Sequence, residues 1–565
     1  MRTRTTDVLV IGGGMTGAGV LRDLAMRGIR AILIERGDLA SGTTGRYHGL
    51  LHSGGRYVMK DPVSARDCAT ENAILRRILP GCIEDTGGLF VVTPWDAPDY
   101  AEGFAAACRE QAVPCEEIPV GEALRREPRL NPKISRAFAV PDGAADSFLS
   151  VGVNVASARE YGGEALTYQR VTGLLREDGR IAGATLEDRR TGEVWQIEAA
   201  LTINAAGAWA GGIGALAGAP ITIVPGKGTM VALNHRLVNT VLNRCKPPAD
   251  GDILVPIRTV CVIGTTDRHV EDPDDTTIAP DEIAFMLDEG EKLVPGLARS
   301  RALRAWSGAR PLYKDAAAPT DDRDLSRDFK LLDHRERDGV EGFISIVGGK
   351  YTTYRLMAER TVDLAAARLG VTTPCRTALE PTVAHSPDPA TGGGSLFWMG
   401  QPLAQVEAAK SYGELLCECE LITRDRLAAA IAAGAANLDD VRRTVRLGMG
   451  PCQGGFCVYR AAALLHEHRD DADEPGAVAA TNLALSDFLE ERWRGITPVL
   501  WGDQLRQERL DELIYLGILG VDRLPVAATA DVDWLVPSAT VGTEEDYPQS
   551  AQSAQSAQRR GERPG

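Results

Sequence analysis

Dense clusters of basic residues are missing from this 565-residue chain, which carries 62 Lys and Arg against 78 Asp and Glu, a net charge of −16. That balance excludes nucleic-acid binding as the main function. Cysteines are also sparse: eleven in a chain of this length do not form a disulfide scaffold. No signal peptide precedes the first predicted strand. We therefore expect a protein of the reducing cytoplasm.

Long uninterrupted apolar runs are missing as well. Residues 199–226 contain no charged side chain and would be long enough to cross a bilayer. This stretch nevertheless contains Asn204, Pro220 and several glycines, which are typical of a buried strand, a turn, a short helix and a second strand. The sequence therefore predicts no transmembrane helix here.

A glycine loop near the N-terminus carries the first functional signal. Residues 7–11 form an apolar run, GGGMTG follows at 12–17, a helical pattern extends to about Met26, and a second apolar run covers 31–35. In this context the first glycine permits a tight turn, the second lets a pyrophosphate approach the backbone, and the third lets helix and strand pack closely. Glu35 ends the second strand, where a carboxylate accepts hydrogen bonds from a ribose hydroxyl.

The segments that follow favour FAD over NAD in this noncovalent site. The stretch SGTTGR at 41–46 supplies hydroxyls and backbone amides directly after the ribose strand, and glycine-ended strands recur at 204–207 and 348–349. These give a larger flavin nucleotide more places to contact. The predicted cofactor-binding residues are Gly12, Gly13, Gly14, Thr16, Gly17, Glu35, Thr43, Thr44, Gly207 and Gly349.

The chain is too long for one hydrophobic core, so we expect several domains. The fold class is α/β plus α+β: a discontinuous Rossmann-type FAD-binding domain, a capping domain with a mixed sheet, and a small helical C-terminal unit. The predicted bounds are 1–75, 151–220 and 331–373 for the FAD-binding domain, 76–150 and 221–330 for the substrate domain, 374–410 for a linker, 411–470 for a cysteine domain, 471–528 for a helical segment, and 529–565 for a disordered polar tail.

Four cysteines form two close pairs in the C-terminal region, Cys417-x-Cys419 and Cys452-x4-Cys457. Four thiolates suit either a cluster or a single metal such as zinc, although Cys-x-Cys is shorter than the usual zinc spacing. A purely structural cysteine set is the third alternative. The arrangement resembles the bacterioferritin-associated ferredoxin type of domain, whose four thiolates hold a [2Fe–2S] cluster. The other seven cysteines lie singly and are predicted to be buried.

Five ordered blocks resemble a known enzyme family, the FAD-dependent glycerol-3-phosphate dehydrogenases, and specifically the flavoprotein A subunit of the anaerobic enzyme. They are GLLHSGGRY at 49–57, DILVP at 252–256, IGTT at 263–266, SGARP at 307–311 and GGKYTTYR at 348–355. The resemblance extends to about residue 517. It implies a quinone-linked glycerol-3-phosphate dehydrogenase that oxidises sn-glycerol 3-phosphate to dihydroxyacetone phosphate, with hydride passing to flavin N5.

The resemblance also implies roles for particular residues. Arg56 and Arg327 resemble phosphate ligands, since a guanidinium binds two oxygens at once. Arg310 and Lys350 resemble groups near the reacting alcohol, and Tyr57 is expected to hold the substrate. The alternative for each cation is a surface ion pair of little energetic value.

The general base is less well defined by the sequence. Aerobic relatives carry a histidine where this chain has Met230, so their mechanism does not transfer directly. His52 and a desolvated Lys350 are the remaining candidates, because burial lowers the pKa of a lysine towards the working range. His52 is equally well explained as a residue that packs beside the flavin.

The resemblance to one component of a complex implies partners: a second flavoprotein subunit, as well as an iron–sulfur subunit that docks on the membrane and delivers electrons to quinone. We accordingly expect a peripheral location on the cytoplasmic membrane face. Two other functions remain open from the residues alone: an amine or amino-acid oxidase that uses oxygen, and an electron carrier that uses FAD and iron–sulfur only as relays.

Overall fold

The structure is a computed structural model that describes residues 2–315, 327–382, 400–410, 412–469, 472 and 475–525. The predicted tail at 529–565 and residues 383–399 of the predicted linker lie outside this range. Residues 400–408 of that linker form a helix.

The strands, numbered along the chain, are β1 Thr3–Ile11, β2 Ala31–Ile34, β3 Leu50–Leu51, β4 Ile83–Glu84, β5 Gly88–Val92, β6 Glu116–Ile118, β7 Arg136–Val140, β8 Gly143–Ala145, β9 Glu164–Leu166, β10 Gln169–Glu177, β11 Arg180–Asp188, β12 Val194–Asn204, β13 Ile223–Leu233, β14 Val241–Arg244, β15 Ile253–Ile257, β16 Val260–Gly264, β17 Arg268–His269, β18 Ala302–Tyr313, β19 Phe329–Asp333, β20 Phe343–Gly348, β21 Leu415–Cys417 and β22 Ile422–Thr423. The α-helices are α1 Met15–Met26, α2 Pro62–Ile78, α3 Pro98–Glu110, α4 Val120–Arg126, α5 Ser147–Glu160, α6 Ala210–Leu216, α7 Pro280–Leu293, α8 His334–Asp338, α9 Tyr354–Leu369, α10 Gly400–Ala408, α11 Arg424–Ala432, α12 Leu438–Val445, α13 Val458–Glu467, α14 Pro475–Ile496 and α15 Gly502–Glu512.

The first sheet is built from three separate stretches of the chain. Its order is β10-β11-β12-β1-β2-β9, with β20 beside β12 and β19 beside β20. The strands β1, β2, β9, β12 and β20 pair in parallel, as expected for a Rossmann-type unit. Apolar side chains of β1, β2 and α1 form one core, which includes Val8, Leu24 and Leu33.

The second sheet is mixed. Its order is β17-β13-β16-β15-β14-β5-β7-β6, and β18 runs antiparallel along the length of β13. Only the β14–β5 pair is parallel among its pairings in the described residues. Helix α7 covers this sheet, and Leu254, Ile263 and Met286 lie in its buried core. The predicted fold class is therefore confirmed.

The C-terminal unit is a set of helices around the short β21–β22 hairpin. It has a core of its own, in which Leu427, Val441, Val458 and Phe488 are fully or almost fully buried. The strands of the first sheet fall within 3–34, 164–204 and 329–348, while the exact domain bounds remain a prediction. No helix in the described ranges is long and apolar enough to span a membrane.

Candidate active site

One large cavity of about 1870 Å³ lies between the first and second sheets. Sites for drug-sized ligands are typically about 300–1,000 Å³, so this cavity has room for a dinucleotide together with a substrate. Its walls include the glycine loop and the end of β2 on one side, and the end of β18 on the other. Of the predicted cofactor residues, those that line it are Gly12, Gly14, Thr16, Glu35, Thr43, Thr44, Gly207 and Gly349.

The glycine loop has the shape that a bound pyrophosphate requires. Gly12 has φ +117°, and a Cβ there would lie 2.5 Å from the Ala205 carbonyl oxygen. A Cβ on Gly17 would lie 1.9 Å from the Gly12 carbonyl oxygen, so the close turn excludes any side chain. Gly14, the N-cap residue of α1, has no side chain, so the positive end of the helix faces the cavity, and among the described residues only the Met15 N–H of that end is bonded to a side chain, that of Thr44. Gly13 and Gly17 shape the turn and do not line the cavity.

Glu35 is fixed at the edge of this loop. Its carboxylate accepts hydrogen bonds from the backbone N–H of Gly13 at 2.7 Å and of Gly37 at 2.8 Å. Burial raises the pKa of Glu35, and these two bonds oppose the effect. Each carboxylate oxygen keeps a lone pair for a ribose hydroxyl. Together with the open helix terminus, the carboxylate fits the adenosine diphosphate half of FAD.

Two threonines join this half of the cavity to neighbouring elements. Thr44 Oγ1 accepts a hydrogen bond from the backbone N–H of Met15 at 3.0 Å. Thr43 Oγ1 donates to the carbonyl of Ala309 at 2.7 Å and so ties the loop to β18. The loop after β2 therefore bridges the two sheets beside the cavity.

The other end of the cavity is rich in cations: Arg56, Arg310, Arg327 and Lys350 all line it. Arg56 donates through Nη2 to Asp252 Oδ1 at 2.7 Å and to the Ala249 carbonyl at 3.1 Å. It makes no other hydrogen bond within the described part of the chain, so three of its five N–H groups have no protein acceptor there. Burial lowers the pKa of Arg56, but the Asp252 carboxylate outweighs burial and the net pKa is raised.

Arg310 differs from Arg56 because the protein already occupies most of its donors. It donates to the carbonyls of Gly226 at 3.1 Å and Thr266 at 2.9 Å, to Asp267 Oδ1 at 2.9 Å, and to the Thr265 hydroxyl. Burial, and then the charge of Arg327, lower its pKa to about 10. Arg310 is therefore a charged group held in one orientation.

Asp267 links the two cations on this side of the cavity. Its Oδ1 accepts from Arg310, and its Oδ2 accepts from Arg327 Nη2 at 3.2 Å. The Arg327 side chain is 39 % exposed, more than that of Arg310 at 18 %. The predicted residues are thus brought together, with Arg327 at the more open edge.

His52, Tyr57 and Lys350 form a compact group close to Arg56 and Arg327. The Tyr57 hydroxyl lies 3.4 Å from His52 Nε2, and Lys350 Nζ lies 4.7 Å from the centre of the Tyr57 ring. Lys350 Nζ also donates to Ser64 Oγ at 2.9 Å. Burial, the neighbouring His48 and the charge of Arg56 lower the pKa of His52 well below its usual value. The imidazole is therefore neutral at pH 7.

His48 also lines the cavity and was not singled out from the sequence. Its ring centre is 6.2 Å from that of His52, and burial followed by the charge of Arg56 lowers its pKa to about 3. Met230, by contrast, is buried in β13 and does not line the cavity. The cavity therefore offers two neutral imidazoles beside its cations, and neither occupies the Met230 position.

The four predicted cluster cysteines lie close together in the C-terminal unit. Cys419 Sγ is 3.6 Å from Cys452 Sγ, and Cys417 and Cys457 are buried beside them. The neighbouring Cys419 and Cys457 thiols lower the pKa of Cys452, which favours the thiolate that iron binds. No three histidine, cysteine, aspartate or glutamate side chains in the described ranges converge on one metal-sized point. Cys452 lies beside both Cys419 and Cys457, and Cys457 lies beside Cys417, so the four thiols form one contiguous group of the kind that holds a [2Fe–2S] cluster.

Glycines and hydrogen bonds shape the loop that carries Cys452. A Cβ on Gly450 would lie 2.4 Å from Cys419 Cβ, so only glycine lets the two cysteine segments approach. Arg492 Nε donates to the Gln453 carbonyl at 2.8 Å, and Tyr515 donates to the Gly454 carbonyl at 3.1 Å. Arg301, which immediately precedes β18, donates to the Pro451 carbonyl at 2.5 Å. These three donors hold the backbone of the loop that carries Cys452 in place.

Comparison with known proteins agrees with both parts of this architecture. A family model described as FAD dependent oxidoreductase matches residues 7–355. Two curated relatives are each 42 % identical: the A1 subunit of anaerobic glycerol-3-phosphate dehydrogenase from Haloferax volcanii, over 94 % of this chain and 93 % of the relative, and the A subunit of the enzyme from Escherichia coli K12, over 93 % and 99 %.

The chain belongs to the FAD-dependent oxidoreductase family, among the anaerobic glycerol-3-phosphate dehydrogenase A subunits.

A second family model, a BFD-like [2Fe-2S] binding domain, matches residues 415–467, which contain all four cysteines. FAD and [2Fe–2S] are thus the cofactors of this family member, and the prediction of both is confirmed. The zinc and structural alternatives for the cysteines are not supported.

Solved structures show the same fold at lower sequence identity. A glycerol-3-phosphate dehydrogenase from Bacillus halodurans, solved with FAD, has a TM-score of 0.56 and 22 % identity over 90 % of this chain and 94 % of its own. A glycine oxidase from Geobacillus kaustophilus has a TM-score of 0.53 and 23 % identity over 68 % of this chain and 99 % of its own. The fold is therefore common to oxidases and dehydrogenases, and the substrate has to be inferred from the cavity.

Sequence reasoning missed the carboxylates that orient the cations. Asp252 is the first residue of the block at 252–256, and Asp267 directly follows the block at 263–266. Neither belongs to a motif that predicts its role. The sequence could have predicted these carboxylates only from the rule that buried arginines require acidic partners. His48 lies between Arg46 and the block at 49–57. The segments on either side of it were predicted to contribute to the site, but His48 itself was not.

Proposed function

We propose that this family member oxidises glycerol 3-phosphate to dihydroxyacetone phosphate and passes the electrons through its [2Fe–2S] cluster to partner subunits and quinone. The observation that carries the proposal is the cationic end of the cavity, where an arginine with three open N–H groups lies near two neutral imidazoles and a lysine. The names of the 42 % identical relatives support the same substrate.

Arg56 and Arg327 are the proposed phosphate ligands. Three N–H groups of Arg56 are open to a ligand, and Arg327 lies at the more exposed edge of the cavity. A guanidinium binds two phosphate oxygens side by side. Asp252 and Asp267 each accept from one of these arginines, so the cations are oriented before a substrate arrives.

His52 is the proposed base for the C2 hydroxyl proton. Burial, followed by the nearby His48 and the charge of Arg56, lowers the pKa of His52 and keeps the imidazole neutral, and the Tyr57 hydroxyl lies 3.4 Å from Nε2. Arg310 and Lys350 stabilise the negative charge that develops on the oxygen as the proton leaves. Tyr57 packs against Lys350 and keeps its ammonium group in the cavity.

When bound, FAD accepts two electrons from the alcohol carbon, and the [2Fe–2S] cluster carries electrons singly. The relatives are components of a multi-subunit enzyme by name, so the proposed partners are a second flavoprotein subunit together with a membrane-docking iron–sulfur subunit. The proposed location is the cytoplasmic face of the membrane, reached through those partners.

An anaerobic titration of the purified chain with glycerol 3-phosphate tests the proposal. We expect bleaching of the flavin absorbance, with an iron assay on the same sample giving two irons per chain. Absence of bleaching in a sample with full flavin and iron would leave only an electron-carrier role. Rapid formation of hydrogen peroxide in air, with an amino acid as the reductant, would instead identify an oxidase.

A further inference from the structure

Helix α15 buries polar side chains and exposes leucines, the reverse of an ordinary surface helix. Its buried residues are polar, namely Gln504, Glu508 and Asp511, while Leu505 and Leu510 are each 45 % exposed. Surface helices normally bury the apolar face and expose the polar one. The outer face of this helix has no partner among the residues that the structure describes.

The exposed leucines of α15, which lie among charged side chains, are followed by further exposed leucines in the π-helical turn Leu513–Ile518. There Leu513 is 60 % exposed and Leu516 48 % exposed, while Tyr515 is buried. Leu505, Leu513 and Leu516 are each between 45 % and 60 % exposed, so all three present apolar surface to solvent. Two half-exposed tryptophans, Trp493 and Trp501, precede them at the end of α14 and the start of α15.

The inner face of α15 is polar because it holds the cluster loop. Arg492 binds Glu508 through two bonds of 2.7 and 2.9 Å and Asp511 through one of 2.6 Å. The same arginine donates to the carbonyl of Gln453, next to Cys452. Glu508 and Asp511 on this face are therefore paired with Arg492 inside the protein, and turning the helix over would leave a buried arginine without partners.

This arrangement puts the leucines close to the cluster loop. The Tyr515 hydroxyl contacts the Gly454 carbonyl from the inner side, and an α-helix with its side chains is about 10–12 Å across. A protein docked on the outer face would thus lie about one helix diameter from the residues that flank Cys452. Phe456, which precedes Cys457, is also 40 % exposed.

We propose that the leucine face of residues 501–518 is the docking surface for the protein that takes electrons from the cluster. The inference rests on the proposed function, in which the cluster passes electrons onward. The occupant is an electron-accepting protein subunit with an apolar groove, into which the leucines insert as anchors. Leucines with flanking tryptophans match the apolar centre of a protein interface.

The charges around the leucines favour a protein over a lipid surface. The exposed turns of α15 carry Asp503 and Glu512 against Arg506 and Arg509, which gives no net charge. Helices that lie on anionic membranes carry a polar face rich in lysine and arginine. With a chain charge of −16, electrostatic attraction to anionic lipid is absent, and a protein partner supplies the contact.

The test uses Leu516→Glu and Leu505→Glu in the full chain loaded with FAD and iron. Val194→Glu, at a site 49 % exposed on the first sheet, is the matched control for Leu516 at 48 %. Each protein is mixed with washed membranes of source cells that lack this gene, and the fraction that sediments with the membranes is measured. Flavin content, iron content and ferricyanide reduction by glycerol 3-phosphate check that each variant is folded.

We expect retention of the two leucine variants to fall at least tenfold, with the valine variant unchanged and retention abolished when the membranes are first treated with trypsin. Equal retention of wild type and variants, or no retention of the wild type, overturns the proposal. Retention by protein-free vesicles of the extracted lipids identifies a membrane surface instead, and a dimer in solution that Leu516→Glu dissociates identifies a second copy. Sedimentation needs no substrate, so failure of glycerol 3-phosphate to bleach the flavin would count against the proposed function alone.

Discussion

Replacing Arg56 by lysine tests the phosphate site directly. Alanine is unsuitable, because it would leave the fully buried Asp252 carboxylate without its cation, at a cost of about 3–5 kcal/mol in folding. Lysine keeps one positive charge for Asp252. It removes the planar edge of the guanidinium, and with it the three N–H groups that are open to a ligand.

The expected loss is calculated for one hydrogen bond to phosphate, the smallest number that the substitution would remove. A hydrogen bond to a charged group contributes about 1.5–3 kcal/mol. At about 1.36 kcal/mol per factor of ten, the loss of one such bond lowers kcat/KM for glycerol 3-phosphate by roughly 10- to 150-fold. The loss should fall mainly on KM, since the phosphate is remote from the reacting carbon and is bound equally before and during reaction.

The assay is steady-state reduction of ferricyanide with glycerol 3-phosphate, together with inhibition by inorganic phosphate. Arg66→Lys is the control, because Arg66 contacts Gln111 and does not line the cavity. Inhibition by phosphate should weaken in Arg56→Lys by a similar factor. If KM and phosphate inhibition both stay within twofold of wild type while FAD is bound, Arg56 is not a phosphate ligand.

Three further changes test other parts of the structure. Gly17→Ala should abolish FAD retention, because the added Cβ would lie 1.9 Å from the Gly12 carbonyl oxygen; flavin absorbance of the purified protein measures this, and a normal spectrum would contradict it. Cys452→Ser should remove the iron and the cluster signal in electron paramagnetic resonance while glycerol 3-phosphate still bleaches the flavin, and full iron content would count against the ligand assignment. His48 has a pKa of about 3 when folded and near 6.5 when unfolded, so its contribution to stability is complete above pH 6.5 and falls as the pH drops below it. Since part of the ring faces the cavity, the loss in the free energy of unfolding is roughly 1–2 kcal/mol by pH 5. Urea unfolding of the apoprotein measures this free energy at pH 7 and at pH 5. The difference between the two pH values should be smaller for His48→Gln than for wild type.

Local patterns made the cofactor sites predictable. Gly12, Gly17 and Glu35 lie within one strand–helix–strand unit, where spacing along the chain almost determines position in space. The cysteines are similar, because two short pairs on either side of a small helical segment have few ways to meet. In both cases the chemistry is carried by residues whose neighbours in sequence are also their neighbours in structure.

The substrate end was only partly predictable, because its geometry depends on contacts between distant segments. Arg56 meets Asp252 across 196 residues, and Arg310 meets Asp267 across 43. The arginines were found by resemblance, but the number of N–H groups left open on each depends on partners that no local pattern marks. The orientation of α15 could not be predicted for the same reason, because the contact between Arg492 and the Gln453 carbonyl determines which face of the helix is buried.

Strand β18 connects the cysteine loop of the C-terminal unit to the cavity. Arg301 at one end holds the cluster loop, Ala309 accepts from the flavin-side Thr43, and Arg310 at the other end faces the substrate. Nine residues of extended chain span about 30 Å, and β13 supports the strand along its length. The covalent spacing of β18 therefore sets the distance between the residue that holds the cysteine loop and the residue that lines the substrate end of the cavity.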